Sequence, residues 1–368
     1  MTRTAILGGG LSGRLTALQL AWAGFQTALF ERGARSGSGS AGYIAAAMLA
    51  PAAEAVDAAP EVIALGRQSL PLWREWLARL PSPVFMQENG SLIVWHAQDK
   101  PLAAQFAQHL HRTAPDLPPE IWQAADISRN EPQLSGRFQT AFYLAGEGQL
   151  DNRQTLNALA DALDEAGVDC RWQQEVSRED LLAEFDWVID CRGSRAKEDW
   201  NRPSENKQNA RSLLRGVRGE VARVYAPEVS LNRPVRLLHP RYPLYIAPKE
   251  NHLFVIGATQ IESESRAPVS VRSGLELLSA LYAVHPAFGE AQLLETAADL
   301  RPTLQHHKPE IRYHTGKRLI EINGLFRHGF MIAPAVTAAA VRLFTALQNG
   351  GLPDCDTVSG LPFLRLDG

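Results

Sequence analysis

The chain has 368 residues, of which 45% are hydrophobic and 21% charged, a balance that excludes a disordered chain and makes two lobes the default expectation. Its formal net charge of −3, with no long Lys/Arg run, gives no electrostatic case for nucleic acid or an anionic membrane as partner.

Residues 3–8 have the apolar pattern of a buried strand, and residues 11–24 set Leu15, Leu18 and Trp22 at helical spacing. Gln26–Glu31 completes a strand, glycine-rich turn, helix and strand that ends in an acid. Residues 60–80 predict a helix on Ile63, Leu70, Trp73 and Leu77, kinked or divided at Pro71. "NGSLIVW" predicts a strand, a helix follows around residues 102–111, and "FQTAFYLAGEGQLD" runs from strand to loop. Asp151 is placed to cap an amphipathic helix that Gly167 closes. "DCRWQQ" and "DWVIDCRG" flank a short helix, as in βαβ units.

"NRPSENKQNARS" predicts an exposed loop, after which "LRGVRGEVARVY", "PLYIAP" and "HLFVIGAT" are strands and residues 271–284 a helix. The tail "RLIEINGLFRHGFMIAPAVTAAAVRLFTALQNG" predicts a strand pair, a turn and a helix ended by Gly350. The longest apolar stretch, "YIAAAMLAPAA", is short and broken by Pro51, so no membrane span is expected. The first strand begins by Thr4, leaving no room for a signal sequence before it. Cys170, Cys191 and Cys355 form no C-x-x-C pair, which argues against a disulfide framework or zinc site. A cytoplasmic protein is expected.

Gly8, Gly10 and Gly13 fit G-x-G-x-x-G: a tight turn, close backbone approach to a pyrophosphate, and close helix–strand packing. The helix N-terminus that follows offers free N–H groups to that pyrophosphate, and Glu31 is placed to accept hydrogen bonds from a ribose. The turn alone does not choose between FAD and a nicotinamide cofactor. Its position near the start, with a return to the same lobe at "DWVIDCRG", is the pattern of an extended dinucleotide gripped by distant segments.

Four later stretches carry a family resemblance. "SGSAGYIAAAMLAPAAE" resembles the second flavin-contacting segment of amine-oxidising flavoproteins of the D-amino acid oxidase superfamily, and "AAAMLAP" is particularly similar to glycine oxidases of thiamine biosynthesis. "PLYIAPKENHLFVIGATQ", "LRPTLQHHKPEI" and "GLFRHGFMIAPAVTAAAV" resemble further segments of that family in the same order. The resemblance implies an α/β (α+β, two-lobed) chain: a Rossmann-like FAD-binding domain of the glutathione-reductase-2/DAO type with an inserted mixed β-sheet substrate domain. The FAD-binding domain is expected over residues 1–82, 146–212 and 298–368, and the substrate domain over 83–145 and 213–297.

Carried over by motif, Arg301 matches the arginine that binds the substrate carboxylate, Tyr245 a tyrosine that assists it, and Arg327 a third polar residue beside flavin and substrate. Non-covalent FAD is expected to lie against Gly8, Gly10, Leu11, Ser12, Gly13, Glu31, Arg32, Ala45, Ala46, Ala47, Met48 and Leu49. Its other expected contacts are Val176, Cys191, Gly193, Arg301, Arg327, His328, Gly329, Phe330, Met331 and Ile332. His328 stands where the family has Asn, and Gln260 follows "GAT" where some relatives are apolar, which leaves the amine substrate open.

The implied reaction moves a hydride from the substrate Cα to the flavin, with O2 as final acceptor and no dedicated base. His239, His306 and His307 are therefore not nominated, and no metal is expected. From residue type alone, Arg301 is equally readable as a structural ion-pair partner, Tyr245 as strand packing, Arg327 as a turn residue and Cys191 as a structural thiol. Three rival functions are a quinone-dependent amino acid dehydrogenase, a flavoprotein that modifies methylaminomethyl groups on tRNA, and a flavin-bound interaction protein without turnover. A homo-oligomer is compatible with the resemblance.

Overall fold

The computed structural model describes residues 2–203, 212–238 and 244–351, and the backbone of the strands Thr357–Val358 and Leu361–Asp367. His239, Cys355 and most of the expected loop (204–211) lie outside the described residues.

β1 (Arg3–Leu7), α1 (Leu11–Trp22) and β2 (Gln26–Glu31) form where their patterns predict. Along β1, Ile6 packs with Leu15, Leu18 and Leu29 on one face. Ala5 and Leu7 pack with Leu181 and Val188 on the other. That is the two-residue alternation of a strand covered on both sides, the normal setting of a parallel sheet. β1 pairs in parallel with β2 and with Trp187–Asp190, at the heart of an eight-stranded sheet. Its order is Thr357–Val358, Leu361–Asp367, Glu310–Thr315, Leu319–Asn323, Trp187–Asp190, β1, β2, Asp169–Trp172.

A second eight-stranded sheet runs Gln292–Leu304, Leu214–Tyr225, Leu253–Gly257, Leu244–Pro248, Val235–Leu237, Ser91–Val94, Thr140–Leu144, Glu120–Gln123. It is mixed: Val235–Leu237 pairs in parallel with Ser91–Val94, while its other neighbours are antiparallel. The helix Val271–Val284, capped by the Ser270 side chain, covers one face through Leu277, Leu281 and Val284. The strand Gln292–Leu304 straddles residue 298, where the expected domain boundary falls, and continues in the second sheet as far as Leu304.

The helix Pro60–Leu77 is continuous through Pro71, so that proline does not divide it. The C-terminal segment departs further from expectation. After the strand Leu319–Asn323, Gly324 turns the chain at φ +79°, and "GFMIAP" forms the first turns of the helix Gly329–Gln348 instead of a second strand. A short apolar run has the same pattern in a buried strand and a buried helix, and here close packing on all sides decides it. Pro334 has no N–H to give to the carbonyl of Phe330, four residues earlier. That carbonyl accepts the Trp73 indole N–H at 2.8 Å instead, and Ser69 Oγ accepts from Ala335 N at 3.1 Å. Two polar contacts thus join this helix to Pro60–Leu77 where its own ladder is broken. Residues 326–348 are long and apolar enough to cross a membrane, but 72% of their most apolar window is buried inside the protein.

Candidate active site

One cavity of about 360 Å³ runs between the two sheets, from the glycine turn to Tyr245 and Arg301. Gly8 opens the turn at φ +103°, its N–H bonded to Phe30 O at 2.8 Å. Gly13 lies behind the turn, where a β-carbon would stand 1.8 Å from Gly8 O, so helix and strand meet this closely only with glycine present. Gly10 is the N-cap of α1 and makes no side-chain cap, and the first turn carries no acid. The N–H groups at the start of α1 are therefore left for a ligand, with the positive end of the helix dipole behind them.

Glu31 fixes the turn from below. Its Oε2 accepts from Gly9 N and its Oε1 from Gly33 N, both at 2.6 Å. Beneath it Arg14 is completely buried, donating to Gly9 O at 2.7 Å, to Arg35 O at 2.6 Å and to Leu156 O. Burial pushes the Arg14 guanidinium down to about 10, against the opposing pull of Glu31.

Of the residues expected to hold a cofactor, Gly8, Gly10, Leu11, Ser12, Glu31, Arg32, Ala45, Ala46, Ala47, Met48, Val176, Cys191, Gly193, Arg301, Arg327, His328, Gly329, Phe330 and Met331 line the cavity. Gly13, Leu49 and Ile332 do not: Gly13 packs against Gly8 behind the turn, and strand alternation and helical phase turn the other two into the main core. Ala46 is held by Lys249, a buried amine that donates to Ala46 O at 2.9 Å, Gln149 Oε1 at 2.9 Å and Leu150 O at 2.6 Å, and that burial pushes down to about 7. The helix Gly329–Gln348 also begins at the cavity wall without a side-chain cap, so two helix N-termini face one space. Burial raises the Cys191 thiol well above its ordinary range, which makes it a poor nucleophile.

At the other end, Tyr245, Arg301, Arg327 and His328 are brought together with Glu54, an acid that sequence reasoning did not single out. Its signal was its isolation: it is the lone carboxylate closing the Ala-rich run "AAAMLAPAAE". Glu54 Oε1 accepts the Tyr245 hydroxyl at 2.9 Å, and Oε2 lies 2.9 Å from Arg327 Nη2 and 3.5 Å from His328 Nδ1. Burial alone would raise this carboxyl, but Arg327, His328, Arg236 and the Tyr245 hydrogen bond together hold it down at about 2. Burial lowers His328 to about 4, so the imidazole is neutral near pH 7.

Arg301, on the strand Gln292–Leu304, is the exception in this cluster. Its Nη1 donates to Thr259 O at 2.9 Å and Arg218 O at 3.3 Å, and burial, followed by the nearby Arg327, lowers it to about 10. Among the described residues no carboxylate pairs with it within 4.0 Å. His306 pairs with Glu310 at 2.7 Å, and no three metal-binding side chains cluster among the described residues.

A turn that bares a helix N-terminus, continuous with a pocket that Tyr245 and Arg301 line, defines a dinucleotide-binding enzyme with a small-molecule pocket beside the nucleotide site. The sequence profile of the DAO family, described as FAD dependent oxidoreductase, matches residues 3–343. A Rhizobium etli protein, whose name provisionally assigns it to thiamine biosynthesis as the oxidoreductase ThiO, is 39% identical over 94% of this chain and 98% of its own. Glycine oxidase from Geobacillus kaustophilus is 25% identical over 90% of this chain and 89% of its own. The crystal structure of the Geobacillus enzyme superposes with a TM-score of 0.79, at 23% identity over 96% of this chain and all of that one. The chain belongs to the DAO family of FAD-dependent oxidoreductases. FAD is its cofactor, and the residues present suit it: uncapped helix N-termini for its charged groups and the small residues Ala45 to Ala47 along the wall between them.

Proposed function

We propose that this protein oxidises glycine, or a similar small primary or secondary amino acid, to the imine, reducing O2 to H2O2. With glycine the imine hydrolyses to glyoxylate and ammonia, serving the thiazole branch of thiamine biosynthesis. The carrying observation is Arg301: a partly buried guanidinium in the cavity wall that donates to two backbone carbonyls, leaving its charge for a substrate carboxylate. An arginine offers such a group two parallel donors, which fixes orientation as well as position. FAD, when bound, supplies the two-electron acceptor.

The chain's own residues bind and orient. Arg301 sets the carboxylate, and through it the Cα, so that losing Arg301 weakens positioning as well as affinity. The Tyr245 hydroxyl donates its hydrogen bond to Glu54, so its oxygen is free mainly as an acceptor, suited to a substrate amine. His328, held neutral, is a weak base, and the reading assigns proton removal to no side chain. The reading includes non-covalent FAD, supported by the raised Cys191 thiol. The similarity to the Rhizobium etli and Geobacillus proteins supports the substrate class and the pathway.

Anaerobic addition of glycine, sarcosine and D-alanine to the purified yellow protein tests this directly. Bleaching by at least one, followed by rapid recovery in air, is expected; a flavin that stays yellow with all three defeats the proposal. Recovery with a quinone but not with oxygen would move the enzyme to the dehydrogenases. Arg301→Ala is expected to retain FAD and lose most of its reduction by glycine.

A further inference from the structure

The charges at the Tyr245 end of the cavity can be paired off individually. Arg327 Nη2 meets Glu54 Oε2 at 2.9 Å and Asp57 Oδ2 at 3.2 Å. Arg236, buried behind Tyr245, has its own Nη2 3.6 Å from the same Asp57 oxygen and donates from Nη1 to Ala53 O and, at 3.5 Å, to Tyr245 Oη. Two guanidinium groups thus face two carboxylates and cancel. His328, in contact with Glu54, adds no charge near neutral pH. Arg301 is left as the cation with no carboxylate partner among the described residues; the nearby Glu147, which accepts from Ala53 N at 2.7 Å and from the Ser91 hydroxyl, is pushed up by burial to about 7 and pairs with none of these arginines. The remaining polar contact of Arg327, to Gln260 Oε1 at 3.4 Å, is neutral.

We propose that Glu54 sets the charge selectivity of the pocket: by neutralising Arg327 it leaves one carboxylate-binding cation, and so admits monocarboxylates and rejects dicarboxylates. The proposal rests on the reading of Arg301 as the carboxylate clamp. A second carboxylate entering beside Arg327 would meet the fixed charge of Glu54 in a poorly hydrated space, where like charges repel strongly. With Glu54 neutral, Arg327 would become a second anion site a short reach from the first. Glu54 itself touches no substrate in this scheme. It is a positioning residue that acts through Arg327, and its mark is a change in which ligand binds, beyond any change in rate.

Glycolate and tartronate make a matched pair of non-amine probes, with one and two carboxylates on the same hydroxylated carbon. Their binding to the FAD-loaded protein is read from the shift they cause in the visible flavin spectrum. The wild type is expected to bind glycolate at least tenfold more tightly than tartronate. In Glu54→Gln that ratio should fall at least tenfold, chiefly through tighter tartronate binding. Asp57→Asn, at the more exposed carboxylate of the pair, should shift it in the same direction by a smaller factor, and it carries the test if Glu54→Gln does not hold FAD. A ratio unchanged in the variant that does hold FAD overturns the proposal. In Arg301→Met both ligands should be lost. If glycolate still binds there with wild-type affinity, the assignment of the carboxylate clamp is what has failed. Glycolate binding that needs Arg301, with a tartronate ratio that Glu54→Gln leaves alone, rejects only the role of Glu54.

Discussion

Arg301 lies so close over Gly219 of the neighbouring strand that a β-carbon at Gly219 would stand 2.5 Å from the guanidinium carbon. Gly219 pairs with Asp299 and Val217 with Arg301, so the two residues are diagonal neighbours on one face. A glycine is needed here because the arginine crosses the strand where a side chain would otherwise sit. Gly219→Ala should displace the guanidinium without disturbing the glycine turn. KM for glycine is expected to rise at least tenfold while FAD content stays at the wild-type level. Steady-state kinetics on protein of known flavin content checks this, and an unchanged KM would show that the displaced guanidinium does not hold the substrate.

Tyr245 predicts a milder loss. Its hydroxyl donates to Glu54 at 2.9 Å and accepts from Arg236 at 3.5 Å, so removing it loosens this corner and costs the substrate one acceptor, while Arg301 stays in place. A single hydrogen bond contributes about 1 kcal/mol, or roughly a five- to tenfold effect. Tyr245→Phe is therefore expected to lower kcat/KM by about that factor, well short of the loss in Arg301→Ala. Equal losses in the two variants would mean that the tyrosine carries more of the binding than its geometry allows.

His328 gives a pH dependence of defined sign. Burial lowers its folded-state value to about 4, from an ordinary 6.5. Between those values the unfolded chain binds a proton at this residue that the folded chain does not. Its contribution is therefore full above pH 6.5 and falls as the pH drops toward 4. His328→Asn removes that titration. The Tm of the wild type relative to this variant should decrease between pH 7.5 and pH 5, as read by thermal melts at matched ionic strength.

Arg14 predicts an effect on the cofactor from a residue away from the substrate. Arg14→Met leaves the carbonyls of Gly9 and Arg35 without this donor, while that of Leu156 keeps its place in its own helix ladder. Each orphaned buried acceptor costs about 1–3 kcal/mol. The apoprotein Tm should drop by several degrees, and the Kd for FAD, measured by fluorescence titration, should rise at least tenfold. An intact FAD affinity would mean that the turn holds its shape without this support.

The elements that position the site were legible wherever a pattern is local. The turn at Gly8, the cap at Asp151, whose side chain accepts from Arg153 N and Gln154 N, and the strand Leu244–Pro248 all follow from neighbouring residues. Tyr245, Arg301 and Arg327 were reached by motif resemblance, and the fold gathers them at one end of a single cavity. What escaped was long-range. Arg14 in "GRLTAL" reads as a solvated helix charge, and only the carbonyls of Leu156 and Arg35 make it a buried post. Glu54 reads as the end of an alanine run, and its partners lie 191 and more positions away. Lys249 likewise becomes a brace for Ala46 only because the end of the strand Leu244–Pro248 meets the strand Gly148–Leu150 there.

The cavity takes its first wall from Leu7 and Gly8 and its last from Met331. β1 pairs with Trp187–Asp190, which pairs in turn with Leu319–Asn323, and the helix that begins at Gly329 completes the wall beside Arg301. A ribosome would have to release the helix that begins at Gly329 before this pocket could close. The glycine turn must wait for residues of that distant helix before it can retain a flavin. Capture of the coenzyme is thus a late event in the life of each new molecule, and a chain truncated before Gly329 should emerge colourless.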